Sequence, residues 1–117
     1  MNLKAFVYNV GRKPKLHEIK DDENSVKDFV NGDYTFINLY DRLVLVCNIE
    51  QKYQSPKSPK TDDINRVVLV HEFDNGKIVK LNPKQIRENF FVCEYHDGKF
   101  TDLPHDRILE VKALCGS

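Results

Sequence analysis

Four histidines, His17, His71, His96 and His105, with Cys93 are the residues of this 117-residue chain that could hold a metal, and of its three cysteines, Cys47, Cys93 and Cys115, the first two are weighed as nucleophiles. Imidazole and thiolate are the usual zinc ligands. No Cys-x-x-Cys or His-x-x-x-His spacing gathers them, so structural or surface histidines are expected, with no metal and no other cofactor. A Cys-His nucleophile fares no better, because Cys47 and Cys93 lie in apolar runs where burial raises a thiol pKa. The five glycines are scattered singly and none opens a helix after a strand, which removes a phosphate cradle. Hydrolysis and phosphoryl transfer are therefore not expected, and no catalytic residue is assigned.

Binding chemistry has more candidates. Asn48 and Glu50 follow an apolar run and stand where polar side chains leave a sheet toward a ligand. The structural alternative is a side-chain bond from Asn48 to a turn, with Glu50 solvated. Residues 55–60, a tandem Ser-Pro-Lys that includes Lys57 and Lys60 and follows Lys52 and Tyr53, could lie along a phosphate backbone or a DNA minor groove. Asp62 and Asp63 cancel part of that field, and the composition is that of a loop. Strand alternation sends Tyr34, Phe36 and Tyr40 to one face and Phe90 and Phe91 to opposite faces. Most of these rings belong in a core, while Tyr34 and Tyr40 are the better candidates to stack a base or fill an interface pocket. Arg87 and Arg107, with an aromatic, could clamp a nucleotide-like anion.

Composition narrows the field further. Lys+Arg and Asp+Glu number 18 each, and a net charge of zero with a pI near 6.9 argues against both non-specific nucleic-acid binding and an acidic DNA mimic. At 40% hydrophobic the chain can bury one core, so residues 1–117 are expected to form a single domain. The first residues lack a long apolar run and a small-residue cleavage site, and no run approaches the ~20 residues of a membrane span, so neither export nor membrane insertion is expected. An odd number of cysteines without a close pair suits a reducing cytoplasm, where all three would remain thiols.

The elements that would position these groups are mostly hairpins. Residues 3–10 and 16–19 flank the turn Gly11-Arg12-Lys13-Pro14. A short helix over 25–31, capped by Asn24 or Ser25 and ended by Asn31-Gly32, presents Val26, Phe29 and Val30 on one face. Residues 34–40 and 43–47 are separated only by Asp41-Arg42, which forces an antiparallel pair, and the second run is apolar enough to be covered on both faces. Residues 51–63 lose the apolar signal and are expected to form a flexible loop. Asn75-Gly76 marks a hairpin between 66–73 and 77–81. Pro83 allows a helical turn over 83–88, and 90–95 resumes as a strand turning at His96-Asp97-Gly98. The tail 107–115 alternates like a strand at Leu109, Val111 and Ala113, yet shares a helical face at Ile108, Val111 and Cys115 before Gly116; helix is preferred.

The residues 11–19, the Val26-Lys27-Asp28-Phe29-Val30 segment, Gly32 and the string 43–50 carry a resemblance. Their most specific piece is Val-Cys-Asn-x-Glu at 46–50, at the end of a buried strand. The first half of the chain thereby resembles a small family of domains of unknown function carried by phages, plasmids and other mobile elements of low-GC Gram-positive bacteria. The resemblance implies a bacterial or phage cytosolic setting and brings no catalytic residue. The expected architecture is α+β: a mainly antiparallel, twisted sheet of hairpins with the 25–31 helix and a C-terminal helix packed on one face. The expected function is non-enzymatic, a small binding protein acting on a host protein or defence component. The alternative is sequestration of a small nucleotide-like ligand in a basic and aromatic pocket, at a subunit interface.

Overall fold

A computed structural model of the chain describes residues 2–49, 65–75 and 77–117, with the backbone alone at 71–74 and 78–82. The hairpins pair as their turns dictate. β1 (Asn2–Tyr8) pairs antiparallel with β2 (Lys15–Lys20), and β3 (Tyr34–Tyr40) with β4 (Leu43–Asn48). β7 (Phe90–His96) then enters between the two hairpins, so the sheet runs β2-β1-β7-β4-β3, while β8 (Lys99–Thr101) folds back on β7. Every residue of β4 is buried, as its unbroken apolar run requires of a strand with both faces covered. β5 (Arg66–Asp74) and β6 (Lys77–Ile86) form a separate two-stranded ribbon whose register closes at Asp74 and Lys77, around the Asn-Gly position. The architecture is α+β, and all the pairings are antiparallel.

Period-2 alternation splits the apolar residues into two cores. Phe6, Tyr8, Leu39, Leu45, Phe90 and Val92 face one way and meet Val68 and Ile86 of the ribbon with Val111 and Cys115 of α2 (Ile108–Cys115). Ala5, Val7, Val44, Val46, Phe91 and Cys93 face the other way, toward Val26 and Phe29 of α1 (Glu23–Val30). The two helices therefore cover opposite faces, not one. A 3-10 turn (His105–Arg107) leads into α2, whose end is tied down by the Tyr8 hydroxyl donating to Gly116 O at 2.6 Å. Among the described residues no helix is long and apolar enough to cross a membrane.

Three local expectations are corrected. The cap of α1 is Asp22, whose carboxylate accepts from Ser25 N at 2.9 Å and Ser25 Oγ at 2.8 Å; Asn24 and Ser25 lie inside the helix. The helical turn over 83–88 does not form, because β6 runs on to Ile86 with Pro83 opposite Leu69. Pro83 lacks a donor, and a two-stranded ribbon always has an outer edge on which a strand can do without one. The row Tyr34, Phe36, Tyr40 is broken by a register shift between Asn38 and Tyr40, which sets Tyr40 beside Leu43, a residue of the opposite core. The tail is helix, as preferred, and the 51–63 loop lies outside the described residues.

An eight-residue helix such as α1 is unstable alone, so it depends on burying Val26 and Val30, about 1.5–3 kcal/mol each. Its end is held by Asn48, whose Nδ2 donates to Val30 O at 3.3 Å and to Asn31 O at 3.0 Å. A Cβ at Gly32 would stand 2.7 Å from that same Nδ2, and the backbone there has a φ of 148°. Gly32→Ala is therefore expected to cost about 1–3 kcal/mol by displacing Asn48, measured by urea unfolding. Gly98→Ala is the comparison: it also has positive φ, but nothing stands within 4 Å of its Cβ, so it should cost less.

Candidate functional site

The part of α1's sheet face that the helix does not cover carries a cluster of rings. β3 contributes Tyr34 and Phe36, two residues apart and so on one face. β7 and β8 contribute Tyr95 and Phe100, which face each other across the ladder because Asp97 and Gly98, both at positive φ, close a two-residue turn. Phe36 lies 4.8 Å from Tyr95 and 5.8 Å from Phe100 between ring centroids, and Tyr34 lies 6.4 Å from Phe100. Beneath them the buried Phe91 makes edge contacts with Phe100 and Phe29.

The Tyr34–Phe100 contact reports the shape of this face. Stepping from β8 through β7 and β4 to β3 crosses three strand spacings, roughly 14 Å in a flat sheet. Rings that meet from so far apart require the face to curl toward them. The result is a shallow tray, a pocket of about 340 Å³ lined by Tyr34, Thr35, Phe36, Tyr95, Gly98 and Phe100. None of these six residues is charged. Among the described residues, neither the Tyr34 nor the Tyr95 hydroxyl has a hydrogen-bond partner, whereas the Tyr8 hydroxyl is committed to Gly116.

The charged groups gather on the other face of the same strands. Glu94 takes a hydrogen bond from Arg107 Nη1 at 2.8 Å and another from His96 Nε2 at 2.6 Å. Arg107 also donates to Glu110 at 2.8 Å and to Asp41 O at 2.6 Å. Arg42 reaches His96 Nδ1 at 3.0 Å; a guanidinium only donates, so Nδ1 is the acceptor and Nε2 carries the proton shared with Glu94. Burial disfavours the Glu94 carboxylate, but the hydrogen bonds from Arg107 and His96 and the charge of Arg107 outweigh it and hold the pKa below its ordinary value. Burial, with Glu94 and Asp102 nearby, pushes the Cys93 thiol up to about 12, and burial alone does the same for Cys115. All three cysteines are buried thiols outside any disulfide, and among the described residues no group of three His, Cys, Asp or Glu is placed to hold a metal ion.

Of the residues the sequence singled out, Tyr34 enters the tray. Tyr40 is 43% exposed and lines no part of it. Asn48 is buried under Gly32 as the clasp on α1, the structural role weighed against a ligand role. Arg107 sits in the ion-pair cluster, and Arg87 lies in the β6–β7 connection; neither lines the tray. Glu50, Tyr53, Lys57 and Lys60 lie outside the described residues. Tyr95 and Phe100 were not singled out for binding, although the turn at His96-Asp97-Gly98 implies their pairing: with Asp97 and Gly98 at the tip, 95 must oppose 100.

Compared with curated proteins and with solved structures, the chain finds no match in either set. A family of protein domains does match, over residues 3–116, under the description Domain of unknown function (DUF3846). With a match of that extent, the small unknown-function family suggested by the first half of the sequence takes a definite form: the chain belongs to the DUF3846 family.

Proposed function

We propose that this domain is a non-enzymatic binding module that recognises a protein partner through the aromatic tray. What carries this reading is the neutral, open pavement of Tyr34, Phe36, Tyr95 and Phe100 on one face of the sheet. Aromatic rings left half-covered and gathered in a concavity are the usual anchors of protein interfaces. Cys93 and Cys115 are poor nucleophiles with pKa values pushed so high, in keeping with a non-catalytic role. A phage or mobile-element origin, a cytoplasmic setting and a host or defence protein as the partner are the finer parts of the proposal, supported by the resemblance of residues 11–19, 26–30 and 43–50. The small-ligand alternative asks for cations beside the rings; the tray lining has none, and Arg107 is engaged with Glu94 and Glu110.

A photo-crosslinking residue tests this at position 34 in cells of a low-GC Gram-positive host, with position 109 as the control. Leu109 is 78% exposed on α2, on the opposite side of the sheet. The expected result is a discrete protein adduct from position 34, absent from position 109 and lost when Phe100→Ala is added. Adducts of the same protein from both positions, or from 109 alone, would remove the tray from the binding surface.

A further inference from the structure

Taking the tray as the partner-binding surface, as proposed above, we infer that it seats one neutral aromatic side chain bearing a hydrogen-bond donor, foremost the indole of a partner tryptophan. The rings touch one another, with centroids 4.8–6.4 Å apart and planes inclined to one another by 31–90°, so nothing slides between them and the guest must settle on top, against the face of one ring and the edges of others. No lining side chain is charged, so an entering carboxylate, phosphate or ammonium would lose its hydration and meet no counter-charge. An arginine would stack, but would find no carboxylate in the lining to complete its hydrogen bonds. The Tyr34 and Tyr95 hydroxyls supply acceptors that no described residue occupies, which suits an indole N–H or a phenol O–H over a bare phenyl ring.

The openness of the tray decides between a side chain and a loose heterocycle. Small-molecule sites bury about 70–90% of their ligand. A shallow pocket of about 340 Å³ open on one side covers only one face of a flat ring. A free base would keep its outer face in water, whereas a side chain arrives with its own protein to cover that face, as interface anchors do.

Titration of the isotope-labelled protein followed by NMR tests this with four probes: N-acetyl-tryptophanamide, N-acetyl-phenylalaninamide, N-acetyl-argininamide and adenosine. The tryptophan amide is expected to shift the signals of residues 34–36 and 95–100 and to bind about threefold to tenfold more tightly than the phenylalanine amide, the value of one neutral hydrogen bond. The double variant Tyr34→Phe, Tyr95→Phe, which removes no hydrogen bond within the described structure, should bring that ratio to about one. Stronger binding by the arginine amide or adenosine, no shift with any probe, or an unchanged ratio in the double variant would each overturn the inference. A Phe100-dependent adduct from position 34 without any tryptophan response leaves the partner reading standing and this inference overturned. A tryptophan response without a partner adduct overturns the partner reading, and with it the claim that a protein presents the ring.

Discussion

Arg107→Ala is expected to lower the unfolding free energy by about 3 kcal/mol, equivalent to roughly 10 °C in melting temperature for a chain of this size. The side chains of Arg107 and Glu94 are 12% and 13% exposed, so removing the guanidinium leaves a nearly buried carboxylate with His96 Nε2 as its remaining side-chain partner among the described residues. The same change releases Asp41 O from Arg107 at the tip of the β3–β4 hairpin. That tip holds Asp41 and Arg42 at positive φ without a glycine, a conformation that L-residues adopt at a cost. Lysine should rescue poorly, since one ammonium on a flexible stem cannot reproduce the fixed fork that spans Glu94, Glu110 and Asp41 O. Adding Glu94→Gln to the alanine variant should recover part of the loss by removing a nearly buried charge that has lost its cation.

The pH dependence provides an independent measure of the same pair. The pKa of Glu94 is depressed in the folded protein, so its contribution is fully present above the unfolded value near 4.5 and is lost as pH falls through the lower folded value. Wild-type stability should therefore decline below about pH 4.5, and the Arg107→Ala variant should decline less over that window because it has less to lose. Urea unfolding at a series of pH values reads both effects. A variant within 1 kcal/mol of wild type at neutral pH would show that the pair behaves like a surface ion pair, for which values of about 0–1 kcal/mol are ordinary.

The second large effect is expected at Phe91. Phe91→Ala removes a fully buried ring and should cost about 3–5 kcal/mol, since the two strands flanking β7 and the helix above cannot close the gap. Phe90→Ala should cost a similar amount by emptying the opposite core, where Phe90 stacks on Tyr8 at 4.6 Å. The pair separates stability from function. Phe91 underlies Phe100 and Phe29, so its loss should also abolish the tryptophan-amide response at the tray, while the Phe90 variant, at a temperature where it remains folded, should keep it. Equal retention of the response in both variants would mean that the tray needs no floor. Calorimetric melts and the NMR titration give the two readings.

The sequence carried most of the local pairing and little of the assembly. Two-residue separations at Asp41-Arg42 and Asn75-Gly76 dictate hairpins because nothing else fits between two strands so close in the chain. The apolar run of β4 and the opposite facings of Phe90 and Phe91 follow from period 2 alone. Less legible was whatever depends on partners distant in sequence. Pro83 reads as a helix starter because its tolerance in a strand depends on β6 having an outer edge, which only the topology reveals. Tyr40 leaves the aromatic row because of a one-residue bulge that alternation cannot anticipate. Asp22 precedes Ser25 by the three residues that capping geometry uses, a spacing in the sequence that favours it as the cap over Asn24 or Ser25. The tray itself assembles Tyr34 and Phe36 with Tyr95 and Phe100 from opposite halves of the chain, and no local pattern announces that meeting.

The position of β7 also governs how the protein comes into being. It is the strand that joins the β1–β2 hairpin to the β3–β4 hairpin, yet it follows both in the chain. A polypeptide synthesised only as far as Asn48 therefore holds two hairpins with no strand to bridge them, one of them containing β4, apolar at every position but Asn48. Loop closure across the intervening residues must precede any reward from the central pairings, which places this topology among the slower folders of its size. During that interval the inner edges of β1 and β4 are open templates for neighbouring chains, so slow or stalled translation before residue 96 is the stage at which aggregation competes best with folding.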